Sequence, residues 1–442
     1  MTGGANQSSF SNFFTDAMFA ALVVLLGLLS LSPAMVLVDG PILQGVIPLV
    51  IALDLILVAG KLPPGEAQHL QKVLRNFVIG AAVPVLWLVI QMLPVPSFLG
   101  HPIWPSVEAA LQHGVRSSIS IDIGATAMAL VRYLSIVGFM ILTCAVTISR
   151  ERAELVLIAA TAASVLIAFL VFCHDLFGFS FIVAGAGALD CACLGLILSL
   201  ACASLVYERH ETRRNKPGQS ETKFIASMAV YALAFLICLG AIIGAKSGSL
   251  AFAAACGCAV FCGVILIRRL ELGRWGAAAM VATAGVIAVI LVTSAAGNSD
   301  LRLAFVKKGA ASLDFTQRIL ADAPFLGSGA GTFDALLPIY QTLGATRSDL
   351  EAATAAAQFS IEMGRPTLWL AIMVAGIGAF VFLRGAAERG RDSFYAAAGA
   401  ACLMTLTILS FVNVGLFGSA PLSIVSVILG LALAQVRSRS AA

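Results

Sequence analysis

Apolar segments of about 20 residues recur along this chain, and each is long enough to cross a bilayer as an α-helix. Of the 442 residues, 60% are hydrophobic and 11% are charged, which excludes an ordinary water-soluble domain. The sequence therefore predicts an all-α fold. It would be a polytopic bundle of about 12 transmembrane helices, with residues 1–442 forming a single integral membrane domain.

The charges between these segments predict an orientation. The spans are expected near 17–38, 41–60, 74–95, 124–147, 153–173, 185–207, 224–244, 247–267, 276–296, 366–384, 394–413 and 419–437. Eighteen of the 27 basic residues lie in loops after even-numbered spans or in the C-terminal tail. Because short cytoplasmic loops are enriched in Lys and Arg, we expect this side, and both termini, to be cytoplasmic.

Two long loops are predicted on the opposite face, at about 96–123 and 297–365. The second is far longer than a simple connection requires, and helix-like segments are expected near 300–322 and 349–363. Long ordered loops on a rigid scaffold often carry function. We therefore expect the functional site on this outer face, within a large periplasmic loop that contains short helices.

Some ionisable residues do not fit the cytoplasmic set. Arg132 falls within the fourth predicted span, and Lys246 lies in the tight turn AKSGS between the seventh and eighth. Ionisable residues at membrane depth usually face a cavity or a partner, so an anionic ligand is a natural candidate, although Lys246 could instead reach the lipid headgroups. Asp54 and Asp190 are acidic counterparts within spans, with either a catalytic or a structural role.

The segment 314–340, DFTQRILADAPFLGSGAGTFDALLPIY, joins an amphipathic helix carrying Arg318 to a glycine-rich turn. Gly327, Gly329 and Gly331 permit close backbone approach and can expose N–H groups to an anion. A plain tight turn is the alternative interpretation. Because no strand precedes the glycines, a dinucleotide-binding loop is not predicted.

PFLGSGAGTF, residues 324–333, resembles the Pro-x-x-Gly-x-Gly-x-Gly-x-Phe signature of the O-antigen ligase and polymerase superfamily. HPIW at 101–104 resembles that family's first outer loop, GAKSGSLAF at 244–252 resembles its Ser-Arg-x-Gly-like turn, and IEMGRP at 361–366 resembles its Glu-x-Gly segment. The resemblance covers most of the chain. It implies a bacterial inner-membrane glycosyltransferase that uses glycans carried by undecaprenyl diphosphate at the periplasmic face.

The partners implied are this carrier, membrane lipid and other polysaccharide assembly proteins. Neither a cofactor nor a metal is expected, and a net charge of +4 spread over short loops does not indicate nucleic-acid binding. Without a metal, cations must stabilise the leaving diphosphate, and the candidates in order are Arg318, Lys246, Arg132 and Arg365. The candidate bases are Glu362, then Asp122 and Asp190, although Glu362 could instead pair with Arg365 or cap the next helix. The resemblance implies inversion at the anomeric carbon.

One departure from the family affects the predicted reaction. Many ligases of this superfamily carry a His shortly before the Glu-x-Gly, whereas residues 352–360 here read AATAAAQFS. This favours a polymerase-like transferase, with an O-antigen ligase close behind. Other hypotheses are a transporter or flippase for a lipid-linked glycan, a cell-wall polymerase of another polytopic family, and a structural membrane subunit.

Overall fold

The computed structural model describes residues 17–37, 41–61, 64–96, 98–114, 116–177, 187–213, 221–269, 310–340, 352–388 and 392–436. These ranges are almost entirely helical. The helices are α1 (Ala17–Leu37), α2 (Pro41–Lys61), α3 (Pro64–Met92), α4 (Ile103–Leu111), α5 (Ile123–Val146), α6 (Arg150–Phe177), α7 (Gly187–Arg213), α8 (Glu221–Gly244), α9 (Gly248–Arg269), α10 (Ala310–Asp322), α11 (Phe333–Tyr340), α12 (Ala355–Met363), α13 (Arg365–Glu388), α14 (Ser393–Ser410) and α15 (Ser419–Val436). A short 3-10 turn, Gly415–Phe417, lies between α14 and α15.

Ten helices in the described ranges are long and apolar enough to cross a membrane, namely α1, α3, α5 to α9 and α13 to α15. They coincide with ten of the predicted spans. The predicted span 41–60 forms the helix α2, which is not among the ten, and the predicted span 276–296 lies outside the described residues. Helices suit this composition because a bilayer core offers no water to satisfy open backbone N–H and C=O groups. The chain is thus a multi-pass helical membrane protein.

The centre of the bundle is built around α7, α14 and α15, whereas α3 and α13 lie at its periphery. Small residues bring the central helices together, because helix association in lipid depends on close packing. A Cβ added at Gly430 of α15 would lie 2.7 Å from the Met140 carbonyl oxygen of α5, and one at Gly187 would lie 2.8 Å from Gly415 O. Most of the ten cysteines are buried as free thiols, which pack in a core as small apolar side chains.

Charged residues join several helix termini at one end of the bundle. Described ion pairs connect the starts of α3 and α6 with the ends of α7 and α9 and with the residue before α14: Arg152–Glu66, Arg150–Glu154, Arg209–Glu154, Arg268–Glu208 and Arg150–Asp392. Their basic members all come from the loops predicted to be cytoplasmic. The structure therefore places these loops together at one end of the bundle, which we call the ion-pair end.

A second, smaller core lies near the other end and is formed by α10, α11 and α12. It includes Phe315, Ile319, Phe333, Leu336 and Ile361, and the rings of Phe315 and Phe333 meet edge to face with their centroids 6.5 Å apart. The predicted helix-like segments near 300–322 and 349–363 correspond to α10 and α12 where they are described. The described part of the 297–365 segment is therefore a packed unit with its own apolar core.

Candidate functional site

The ten residues 323–332 between α10 and α11, here called the glycine loop, adopt a backbone that requires glycine. Gly327, Gly329 and Gly331 have φ angles of 83°, 105° and 74°, in the left-handed region that L side chains rarely enter. A Cβ at Gly327 would collide with the Glu362 carbonyl oxygen, and one at Gly329 would collide with Ser120. The glycines thus allow the loop to press against two other segments, 116–122 and 361–364.

Backbone hydrogen bonds fix the loop between these two segments. Ser328 donates its N–H to Ile361 O at 2.9 Å and accepts from the N–H of Ile121 at 2.9 Å. The N–H groups of Gly327 and Gly329 donate to Pro324 O and Glu362 O, both at 3.0 Å. These glycine N–H groups already have acceptors inside the protein, so binding a diphosphate through them would require those bonds to break. Their predicted contact with the donor stays a prediction.

The carboxylate of Glu362 is buried at the centre of this unit, with 9% of the residue exposed. Its Oε2 accepts from Gly331 N at 2.9 Å, and its Oε1 accepts from Gln358 Nε2 at 3.0 Å. The N–H of Phe333, the first residue of α11, also donates to this carboxylate. Burial raises the pKa of Glu362, and the donors from Gln358, Gly331 and Phe333 offset part of that rise.

Glu362 therefore caps a helix in this structure. The helix is α11, whose N-terminus carries partial positive charge, and not the following helix that the sequence suggested. Nor do the described ion pairs join Glu362 to Arg365. The Arg365 guanidinium instead donates Nη2 to Leu320 O at 3.0 Å, near the C-terminal end of α10.

The two predicted cations of the outer segment lie on elements that adjoin the glycine loop. Arg318 is exposed on α10 and forms a 2.7 Å ion pair with Asp314 one turn earlier. Arg365 is exposed at the start of α13 and packs its guanidinium onto the end of the same helix, α10. Both side chains thus border the unit that holds Glu362, with exposed surface left for an anion to contact.

Asp122 and Arg132 belong to α5 or its cap, on the other side of the glycine loop. The Asp122 side chain caps α5 by accepting from Ala125 N at 3.0 Å. A Cβ at Gly331 would lie 3.0 Å from Ala125 O and 3.5 Å from the Ala129 side chain. Arg132, partly buried, follows Ala129 by three residues and so lies on the same side of α5, about one turn deeper in the bundle.

Asp190 is linked to this unit through Asn413. It is fully buried near the start of α7, and its Oδ1 accepts from Asn413 Nδ2 at 3.1 Å. The main-chain oxygen of Asn413 accepts from the N–H of Ala355, the first residue of α12, at 2.9 Å. Asp190 therefore contacts the residue that anchors the helix carrying Glu362, and it does not contact Glu362 itself.

The described hydrogen bonds and ion pairs do not join the side chain of Lys246 to the unit. It occupies the turn between α8 and α9 with a φ of 51°, and its N–H donates to Ile243 O at 3.0 Å. Its side chain is exposed. A role for Lys246 at the diphosphate stays a prediction.

Two residues of α3 that the sequence reasoning missed are part of the same unit. Trp87 donates its indole N–H to Met363 O at 3.2 Å, and the buried Gln91 contacts both the glycine loop and Glu362 O. The sequence did contain a signal for Gln91, because this polar residue interrupts the apolar stretch 77–95.

The sequence matches no protein-family model, and the comparisons with curated proteins and with solved structures likewise give no match.

Proposed function

We propose that this chain is a membrane glycosyltransferase that transfers or polymerises glycan units carried by undecaprenyl diphosphate. It would act at the periplasmic face of the bacterial inner membrane, with the ion-pair end and both termini in the cytoplasm. The polymerase-like form is favoured, because no His precedes Glu362 in residues 352–360.

The observation that carries the proposal is the convergence of three of the motifs on which the resemblance rests. The glycine loop from PFLGSGAGTF contacts Glu362 of IEMGRP through the hydrogen bonds described above. HPIW reaches the same unit through Ser118, whose carbonyl accepts from His101 N at 3.0 Å and from Trp104 Nε1 at 2.8 Å. HPIW thus packs in one site with two motifs that follow it by more than 200 residues in sequence.

The proposed reaction requires cations and a proton acceptor. The acceptor hydroxyl oxygen attacks the anomeric carbon, the bond from that carbon to the diphosphate oxygen breaks, and the configuration inverts. Arg318 and Arg365, which border the unit, would stabilise the charge that grows on the leaving diphosphate, with Arg132 and Lys246 as further candidates. The hydroxyl proton would pass to a carboxylate.

Glu362 is the favoured proton acceptor because it is buried beside the glycine loop and its raised pKa suits a general base. To act in this way, it must exchange one of its present donors, Gly331 N–H, Gln358 Nε2 or Phe333 N–H, for the substrate hydroxyl. Asp122 and Asp190 are weaker candidates, since the first caps α5 and the second contacts Asn413.

A transporter or flippase for the same lipid-linked glycan is the second candidate. Two buried carboxylates within the bundle favour it, Asp54 in α2 and Asp190 in α7, because acidic groups inside membrane helices often mark ion or substrate pathways. It would bind the same donor class without forming a glycosidic bond.

Reconstitution with a lipid-diphosphate-linked repeat unit separates the two candidates. The purified protein in liposomes should extend the glycan, seen as a ladder on a gel, and Arg365→Ala should abolish or strongly reduce the ladder. Lys72→Ala, an exposed cation on α3, serves as the matched control and should keep it. Movement of the lipid between leaflets without a new glycosidic bond would contradict the transferase and support the transporter.

A further inference from the structure

Gln91 makes three hydrogen bonds to three different segments of the candidate site. Its side-chain Oε1 accepts from Ala330 N at 3.2 Å, and its Nε2 donates to Glu362 O at 3.3 Å. Its main-chain oxygen accepts from Ser120 N at 3.0 Å. Because the side chain is fully buried, water does not compete for these bonds.

The chemistry of the amide explains why a Gln fits here. A neutral amide presents an acceptor and a donor from one rigid plane, and the two backbone groups that it meets need one of each. Ala330 lies between Gly329 and Gly331 in the glycine loop, while Glu362 supplies the carboxylate that Gly331 contacts. The Gln91 side chain thus bridges the glycine loop and Glu362. The distance between these two segments determines whether the Gly331 N–H reaches the Glu362 carboxylate.

We propose that Gln91 is a positioning residue that holds the glycine loop and Glu362 in register. Trp87, one turn earlier on α3, supports the same arrangement by donating to Met363 O. Gln91 acts through Ala330 and Glu362 and not on the reacting atoms. Its importance for glycan transfer rests on the proposed function, whereas its effect on the geometry of the site does not.

Hydrogen exchange followed by mass spectrometry tests the positioning directly. Gln91→Leu removes both the amide donor and the amide acceptor but keeps a side chain of similar size. Backbone exchange in peptides covering 327–332 and 359–364 should therefore become roughly tenfold faster. Gln71→Leu, at an exposed position on the same helix, should leave both peptides unchanged. Exchange at the wild-type rate in Gln91→Leu would overturn the proposal.

Gln91→Glu provides a second measurement within a single variant. When protonated, its carboxyl can accept from Ala330 N and donate to Glu362 O as the amide does. When ionised it has no donor, and it faces the Glu362 carbonyl oxygen and the nearby Glu362 carboxylate. For the same peptides, the ratio of the exchange rate in Gln91→Glu to the exchange rate in wild type should be near one at acid pH and rise as pH increases.

Wild type is measured at every pH, because the elements packed around Gln91 carry other titratable or charged groups, namely Glu362, Asp122, Arg132 and Tyr133. A ratio that does not change with pH would count against the proposal even if Gln91→Leu fails to fold. If exchange rises in Gln91→Leu while glycan transfer is unaffected, the positioning stands and the proposed catalytic site is wrong.

Discussion

The main-chain N–H of Gly331 donates a 2.9 Å hydrogen bond to the Oε2 of Glu362, across 31 residues of sequence. This contact joins the glycine loop to the helix α12, and the N–H of Phe333 at the start of α11 points to the same carboxylate. Glu362 thus belongs to the packing of the site as well as to its proposed chemistry. Any substitution in this unit is expected to affect both.

The glycine loop should not tolerate side chains. We expect Gly329→Ala to lower the stability of the protein by at least about 1–2 kcal/mol, since a non-glycine residue is strained at positive φ and its Cβ would collide with Ser120. The measurement is thermal unfolding in detergent. Gly376→Ala on α13 is the control, because its Cβ would meet no atom within 4 Å, and it should be neutral or slightly stabilising. Equal unfolding temperatures for the two variants would contradict this prediction.

Because of Glu362, the stability of the protein and its glycan-transfer activity should depend on pH in opposite directions. Its folded-state pKa lies above the ordinary value of 4.5, so the folded protein holds this proton more tightly than the unfolded chain does. The stability that this group contributes is therefore fully present below the unfolded pKa and is lost as pH rises through the folded pKa. Glycan transfer, which needs the ionised base, should increase over the same pH range.

Unfolding of wild type and of Glu362→Gln, measured against pH, checks this prediction. The difference between their stabilities should depend on pH in that window, and the pH–activity profile should lose its acid limb in the variant. Parallel stability curves for the two proteins would show that Glu362 does not titrate as expected.

Asp190 should act on α12 through Asn413. Asp190→Ala leaves the Nδ2 of the partly buried Asn413 without this acceptor, which should cost roughly 1–3 kcal/mol and speed hydrogen exchange in residues 352–360. Asp190→Asn retains an acceptor oxygen and should restore most of the protection. If Asp190→Asn instead abolishes glycan transfer while the exchange pattern is unchanged, the carboxylate has a direct chemical role.

The ion-pair end should matter for stability and not for transfer. Glu154 is buried and contacts both Arg150 and Arg209, so Glu154→Gln should destabilise the protein by roughly 1–3 kcal/mol. A double-mutant cycle of Glu154→Gln with Arg209→Gln, followed by thermal unfolding, should show a coupling energy between the two residues. At a temperature where the variants stay folded, loss of glycan transfer would place this end in the reaction.

The two ends of the bundle should face opposite sides of the membrane. An epitope inserted after Gln112, in the exposed residues that follow α4, should be accessible from the periplasm in intact cells. An epitope after the C-terminus should become accessible only when the cells are opened. The reverse result would invert the predicted orientation and move the proposed site to the cytoplasm.

The sequence by itself determined the helical membrane fold, the helices that form ten of the predicted spans, and the grouping of basic loops. Each of these depends on local composition, because a 20-residue apolar segment in lipid must satisfy its own backbone as a helix. The glycine pattern likewise predicted a turn with close backbone approach after the helix that carries Arg318.

Only the tertiary structure decided which groups the turn would meet. The sequence left open whether the N–H groups of the turn would face an anion or form a plain tight turn. In the folded chain, the N–H groups of Gly329 and Gly331 donate to Glu362 and that of Ala330 donates to Gln91. The folded chain also sets Asp190 against Asn413, 223 residues away. These pairings follow from the way distant helices pack side by side, and the local pattern of apolar and polar residues contains no information about which buried donor will meet which acceptor.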